Sequence, residues 1–193
     1  MGEIAANGLR MIEEDEATGE VAALYEEIKR EMMLPVVPNF MKVLAVSPAA
    51  LAIQWKSMKA LYEHSTLPAS LTSMIFYAIA EQNECQYCSA NHELTCRTLG
   101  IDEETLHKLI HDLPHLTPER IRATIQFALK LARAPKSLVR ADYDNLRAYG
   151  VGDDEIVEII QIASLGDSGD VLADGLKVDV DTHVLEGLAE IAA

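Results

Sequence analysis

Aromatic and positively charged residues are scarce in this sequence. Phe, Trp and Tyr make up 5% of the 193 residues, and 16 Lys and Arg stand against 31 Asp and Glu, which gives a formal net charge of −15. A core with few aromatic residues must be built from Leu, Ile, Ala, Val and Met, and this composition favours helices over strands. The acidic surface argues against nucleic acid, whose phosphates attract basic proteins, and against anionic membrane surfaces.

Long hydrophobic runs are also missing. The longest uncharged apolar run, residues 65–80, contains Pro68 and is shorter than the ~20 residues that a bilayer-spanning helix needs. The first ten residues lack the apolar stretch of a signal peptide. We therefore expect a soluble, cytoplasmic protein that has no membrane partner.

Capping and turn residues divide the chain into helices. Ser47 with Pro48, and later Asp102, are typical helix starts, and Gly100 is a typical helix stop. The Asp- and Gly-rich stretch 166–175 predicts a loop or a frayed helix end. Because no segment alternates as a strand does, the sequence predicts an all-α fold. The predicted helices cover about 18–33, 48–64, 68–83, 86–99, 140–149 and 153–165. One further helix begins after Asp102, and another begins at Thr117-Pro118-Glu119 and ends before Pro135.

The three cysteines all lie within twelve positions, from Cys85 to Cys96. An odd, clustered set in an intracellular chain points to redox or metal chemistry rather than to structural disulfides. A zinc site formed by Cys85, Cys88, His92 and Cys96 is disfavoured, because Cys85 and Cys96 would lie ~16 Å apart along one helix and the ligand bonds are only ~2.0–2.3 Å long. We expect no metal and no cofactor, and a packed core thiol at Cys96.

Cys85, Cys88 and His92 share one stripe of the predicted helix, because their spacing is i, i+3 and i+7. The amides at a helix start and a nearby imidazolium would both lower a thiol pKa. His92 could also accept the thiol proton. A thioredoxin-like CxxC would follow a strand, whereas a long apolar helix precedes this one. The alternative is that the cysteines are inert, small core residues.

Residues 67–100 resemble the core helical hairpin of the AhpD-like alkylhydroperoxidase and carboxymuconolactone decarboxylase superfamily. Segments outside the hairpin resemble the longer, peroxidase-related branch of that superfamily. The matching hairpin features are an apolar helix followed by Asn83, Cys85, Tyr87-Cys88, His92 and Gly100. The matching outer segments are Pro38-Asn39-Phe40, Ser47-Pro48, 127–131 and 146–150.

The resemblance implies a single AhpD-like helical domain over residues 1–193. Its core hairpin would cover about 67–100, and a helical extension would cover about 1–46. The resemblance also implies a homo-oligomer and a thiol-dependent peroxidase or disulfide reductase. Cys88 would be activated by His92, and Cys85 would be its disulfide partner. The substrate would be an organic hydroperoxide or a disulfide, and an external thiol reductant, which the sequence does not identify, would restore the dithiol.

The sequence departs from the family pattern at the usual Arg-Glu pair, which falls here on Thr72 and Ser73. Ser73 can hydrogen-bond in a proton relay but carries no charge near neutral pH. Glu81, four residues before Cys85, is a possible substitute and equally well a solvated surface carboxylate. Tyr87 stands where some members of the family have His.

Two other functions stay open at this stage. One is a non-catalytic helical oligomer, and the other is a lactone enzyme like carboxymuconolactone decarboxylase, since a fold does not fix a function. The segment 154–163 bears on the oligomer because it is apolar on more than one face. A helix of this kind must be buried, so we expect part of it to lie in a subunit interface.

Overall fold

The computed structural model describes residues 8–191. These residues form ten α-helices and two short 3-10 turns, Leu113–His115 and Pro135–Ser137, without any β-strand. The all-α prediction is confirmed. The helices are α1 (Gly19–Met32), α2 (Asn39–Leu44), α3 (Pro48–His64), α4 (Ala69–Gln82), α5 (Gln86–Thr98), α6 (Glu103–His111), α7 (Glu119–Arg133), α8 (Arg140–Ala148), α9 (Asp153–Leu176) and α10 (Thr182–Ile191).

The local signals for helix boundaries are confirmed. The Ser47 hydroxyl accepts a hydrogen bond from the Ala50 amide at 3.4 Å where α3 begins. The Asp102 carboxylate accepts one from the Thr105 amide at 2.8 Å where α6 begins. Gly100 has a φ of 82°, a left-handed conformation that glycine adopts without strain. These short-range contacts fix where the helices start and stop.

The prediction of a loop over residues 166–175 is wrong. Helix α9 continues through this stretch to Leu176 and buries Gly166, Asp170 and Ala173. A Cβ atom on residue 166 would lie 2.8 Å from the Phe76 ring, so the glycine here permits α9 to approach α4 closely. Packing against α4 therefore outweighs the weak helix propensity of glycine and aspartate.

Helix α4 lies at the centre of the fold and packs against α5, α7 and α9. Its sequence is almost entirely apolar or uncharged, and nine of its residues are buried. One hydrophobic core surrounds it. A second core joins α1, α2 and α3 to the start of α5 and includes Cys85 and Cys88. The N-terminal helices thus cover the region of the dithiol.

The single-domain boundaries stay a prediction, and residues 1–7 and 192–193 of that range lie outside the described residues. Within the part of the chain that the structure describes, no helix combines the length and the apolar character that crossing a membrane requires. The apolar segment 154–163 is largely accommodated inside the chain, since Ile156, Ile159 and Ile162 are buried, whereas Val157 is 67% exposed. The subunit interface therefore stays a prediction.

A buried polar contact joins the N-terminal and C-terminal segments to α5. The Tyr87 hydroxyl donates to one carboxylate oxygen of Asp181 at 2.9 Å, and the Asn39 amide donates to the other at 2.8 Å. The Phe40 amide in turn donates to the Tyr87 hydroxyl at 3.4 Å. Burial, and then the charge of Asp181, raises the pKa of Tyr87 well above its ordinary value, so the phenol remains a donor at neutral pH.

We expect Tyr87→Phe to lower the free energy of unfolding by about 1.5–3 kcal/mol, because it removes a hydrogen bond to a buried charged group. Denaturant unfolding would measure the loss. Tyr62→Phe is the matched control: Tyr62 is 53% exposed, and exposed substitutions usually cost within about 0.5 kcal/mol. Equal stability of the two variants would show that the contact does not hold the segments together.

Candidate redox site

A tight turn between α4 and α5 positions the two cysteines of the CxxC motif. Glu84 adopts a left-handed conformation with a φ of 58°, and its amide donates to the Glu81 carbonyl at 3.2 Å. The Cys85 amide donates back to the Ala80 carbonyl at 3.0 Å, a bond pattern typical of a helix that ends in a left-handed residue. Cys85 then becomes the N-cap of α5, and Cys88 falls in the first turn of that helix.

Both thiols are free and lie against each other. Cys85 is completely buried, and Cys88 is 7% exposed. Both the Cys85 thiol and the carboxyl group of Asp170 lie beside the Cys88 thiol and act on its pKa. The two sulfur atoms and a carboxylate oxygen of Asp170 all lie within 4.8 Å of one another.

Asp170 is a candidate site residue that was not predicted from the sequence. It lies on α9, in the stretch predicted as a loop, and it is buried. The side-chain amide of Asn83 donates to Asp170 at 2.9 Å and to Asp167 at 3.1 Å. Asp167, Asp170 and Asp174 recur at helical spacing, and this pattern is the one signal in the sequence that favours an Asp170 on a helix face.

The electrostatics of the dithiol are opposite to the sequence prediction, which expected a lowered thiol pKa. The neighbouring Cys85 thiol raises the pKa of Cys88 strongly, and burial and the charge of Asp170 raise it further. Burial also raises the pKa of Asp170 from 3.8 to about 6, although its hydrogen bonds with Cys88 and Asn83 act to lower it. The buried site thus disfavours any second negative charge.

His92 lies on α5, one turn beyond Cys88, and is half-buried. Its ring stacks on Phe76 of α4, with centroids 5.0 Å apart. Among residues 8–191 it makes no hydrogen bond to either thiol. Burial lowers the pKa of His92 from 6.5 to about 4, so the ring is neutral at pH 7. The predicted imidazolium beside the dithiol therefore does not form at neutral pH, and the role of His92 as a base stays a prediction.

The remaining predicted residues lie in different surroundings. Ser73 is buried on α4, and its hydroxyl makes no hydrogen bond within the described chain. Glu81 lines a surface cavity of about 200 Å³ together with Leu109, Ile110 and Leu129. Cys96 is fully buried in the main core, as predicted, and burial raises its pKa to about 12. The roles of Ser73 and Glu81 stay predictions.

The structure also brings together three groups of the kind that hold metal ions. Cys85, Cys88 and Asp170 form this set in the described part of the chain, and it differs from the set of four on one helix that the sequence offers. His92 and Cys96 do not belong to it. Structural zinc sites in proteins are almost always four-coordinate, and this group offers three protein ligands.

Several solved structures have the same fold. A peroxidase-related protein from Silicibacter sp. TM1040 is 23% identical, with a TM-score of 0.77 over 86% of each chain. A peroxidase-related protein from Ralstonia eutropha JMP134, described as an alkylhydroperoxidase AhpD core, is 21% identical, with a TM-score of 0.82 over 95% of this chain and 96% of that one. The debrominase Bmp8 in complex with 2,3,4-tribromopyrrole is 14% identical, with a TM-score of 0.80 over 97% and 99%.

No protein-family model matches the sequence, and no curated protein matches it. These solved structures are only 14–23% identical to the chain, and at such low sequence identity the similarity shows a shared fold and no more. The shared fold agrees with the family resemblance that the sequence shows in the core hairpin and in the outer segments. The protein has the AhpD-like fold of the peroxidase-related proteins, as the sequence predicted.

Proposed function

We propose that the protein is a thiol-dependent peroxidase or disulfide reductase that cycles Cys85 and Cys88 between dithiol and disulfide. The observation that carries this proposal is the proximity of two free thiols at the start of α5, with a carboxyl group beside them. The AhpD-like fold, shared with proteins described as peroxidase-related, supports the same class of reaction.

The reaction transfers two electrons from the dithiol to the substrate. The sulfur of one cysteine attacks the peroxide oxygen, the O–O bond breaks, and the alcohol leaves with one proton. The sulfenic acid is then attacked by the second thiol, the S–S bond forms, and the hydroxyl leaves as water with the second thiol proton. One hydroperoxide and two thiols thus give one alcohol, one water and one disulfide, which an external thiol reduces again.

Cys88 is the better candidate for the first attack, because it is partly exposed whereas Cys85 has no exposed surface. Cys85 lies within reach as the resolving thiol. The sequence resemblance proposes His92 as the base, whereas burial lowers the pKa of its ring to about 4. A reducing cytoplasm would keep the dithiol reduced between turnovers, which agrees with the location expected from the sequence.

Reductive debromination is a second candidate reaction. The debrominase Bmp8, crystallised with 2,3,4-tribromopyrrole, matches nearly the whole chain, and a dithiol supplies the two electrons that replacement of bromine by hydrogen requires. One aryl bromide and two thiols give one arene, one hydrogen bromide and one disulfide. The aromatic residues Phe40 and Tyr87, whose ring centroids are 5.8 Å apart, lie in the same core as the dithiol.

The first test is the reaction of reduced protein with one equivalent of an organic hydroperoxide. We expect the loss of two of the three thiols, and peptide mass mapping should find Cys85 linked to Cys88 and Cys96 unchanged. Cys96→Ser is the matched control and should still lose two thiols. Cys85→Ser should stop at the sulfenic acid of Cys88. Retention of all three thiols, or a disulfide that includes Cys96, would contradict the proposal.

The two candidate reactions are separated by their products. With 2,3,4-tribromopyrrole as substrate and an external dithiol present, a debrominase releases bromide in proportion to the disulfide formed. We expect hydroperoxide to be consumed faster than bromide is released, since the peroxide O–O bond is the weaker of the two bonds that must break. The reverse order would favour debromination, and Cys88→Ser should abolish both reactions.

We also propose a homo-oligomer. Val157 and Val171 on α9 are each 67% exposed, and the family resemblance implies oligomers. Light scattering at micromolar concentration should give a mass of at least two chains. Val157→Asp should reduce that mass, because a charge buried in an apolar interface is costly. A monomeric mass for the unchanged protein would contradict this prediction.

A further inference from the structure

The carboxyl group beside the dithiol is buried without a positively charged partner from residues 8–191. The polar partners of Asp170 are the Asn83 amide and the Cys88 thiol. No Lys, Arg or His side chain in the described chain forms an ion pair with it. A buried carboxylate without a cationic partner costs folding free energy. The Cys88 thiol beside Asp170 is a group that can donate a proton to this carboxylate.

The other candidate bases do not make this contact. The His92 ring stacks on Phe76 and has no hydrogen bond to a thiol within residues 8–191. Ser73 has a hydroxyl that cannot hold a negative charge near neutral pH, and Glu81 lines the surface cavity between α4 and the helices α6 and α7. The carboxyl group of Asp170, in contrast, has an oxygen within 4.8 Å of the sulfur atoms of both Cys85 and Cys88.

We propose that Asp170 is a catalytic residue that takes the Cys88 proton when the sulfur attacks and returns it to the departing oxygen. This inference rests on the proposed function and adds a third catalytic group to the two cysteines. In the step, the S–H bond breaks and an O–H bond forms on Asp170. The S–O bond then forms as the peroxide O–O bond breaks, and the alkoxide takes the proton from Asp170 to leave as the alcohol. The carboxylate is restored, and Cys88 carries the sulfenic acid.

Charge conservation in the buried site favours this route. If Cys88 lost its proton to solvent while Asp170 was ionised, two negative charges would lie within 4.8 Å in a buried setting, which is unfavourable. Moving the proton from the sulfur of Cys88 to the carboxylate of Asp170 keeps the total charge of the pair at −1. The raised pKa of Cys88 thus opposes ionisation to solvent and leaves the internal transfer available.

The relative basicity of Asp170 and His92 also favours Asp170 as the base. Asp170, with its pKa raised to about 6, is ionised at pH 7 and is a stronger base than His92, whose burial lowers its pKa to about 4. A catalytic base works best when its pKa is close to the working pH. The titratable groups that face Asp170 are Cys85 and Cys88 at the start of α5 and, on its own helix, Asp167 and Asp174.

The test is the pH dependence of hydroperoxide consumption by the reduced, full-length protein. For the unchanged protein the rate should fall as the pH drops through about 6, where Asp170 becomes protonated. A base role for His92 would place the fall near pH 4. Asp170→Asn should lower the rate at pH 7 by about a hundredfold, in the range usual for the loss of a general acid–base group, and should remove the inflection near pH 6.

Two control variants separate this role from others. Asp167→Asn removes a carboxylate that also bonds Asn83 and lies one turn away. Its rate should stay within a few fold, with the inflection moved to lower pH because a charge that raises the pKa of Asp170 is gone. His92→Ala should keep the inflection near pH 6. Helix content, measured by circular dichroism, checks that the variants fold. If Asp170→Asn does not fold, the pH–rate profile of the unchanged protein is the test of whether Asp170 is the base.

Asp170→Asn also removes a negative charge that raises the pKa of Cys88. If Asp170 acts only through its charge, the variant reacts as fast as the unchanged protein or faster, and the inference is overturned. If the unchanged protein consumes no hydroperoxide, the proposed function fails instead. In that case, the rate of alkylation of Cys88 by iodoacetamide tests Asp170 alone. If Asp170 takes the proton, the alkylation rate levels off above pH 6. If Cys88 ionises to solvent, the alkylation rate rises tenfold per pH unit throughout.

Discussion

The contact between Cys88 and Asp170 brings two acidic groups together in a buried site to which the described residues contribute no cation. Several features of the fold serve to make this contact. Asn83, at the end of α4, holds the carboxylate in place from one side, and the left-handed residue Glu84 turns the chain so that the thiols face it. Helix α9 must remain helical through residue 170 to present the carboxylate at all. The site is therefore a junction of three helices rather than a property of the CxxC motif.

The parts of this structure that could be predicted are those that depend on neighbouring residues. Ser47 and Asp102 cap helices through hydrogen bonds to amides three residues away, and Gly100 adopts the left-handed conformation that ends a helix. Such interactions span a few residues, so a single sequence contains them. The hairpin of α4 and α5, which carries the dithiol, was predictable for the same reason and through its family resemblance.

The carboxylate could not be predicted, because long-range packing determines it. Gly166 weakens the helix locally, but it permits α9 to pack closely on Phe76 of α4, and this packing favours the continued helix. Phe76 also stacks on His92, so the surroundings of the histidine depend on α4 and not on its spacing from Cys88. The resemblance drew attention to Ser73 at the position of the family Glu. It could not show that a carboxylate from a distant helix reaches the thiol.

The distance along the chain between the parts of the site has a consequence for biosynthesis. Asn83 and Asp170 are 87 residues apart, and Tyr87 and Asp181 are 94 apart. The ribosome therefore releases both cysteines long before the segment that encloses them, at ~5–20 residues per second. During that interval both thiols are exposed to solvent and open to exchange with any disulfide nearby. Folding is therefore the step that takes Cys85 and Cys88 out of contact with other disulfides, because both thiols are buried in the folded chain.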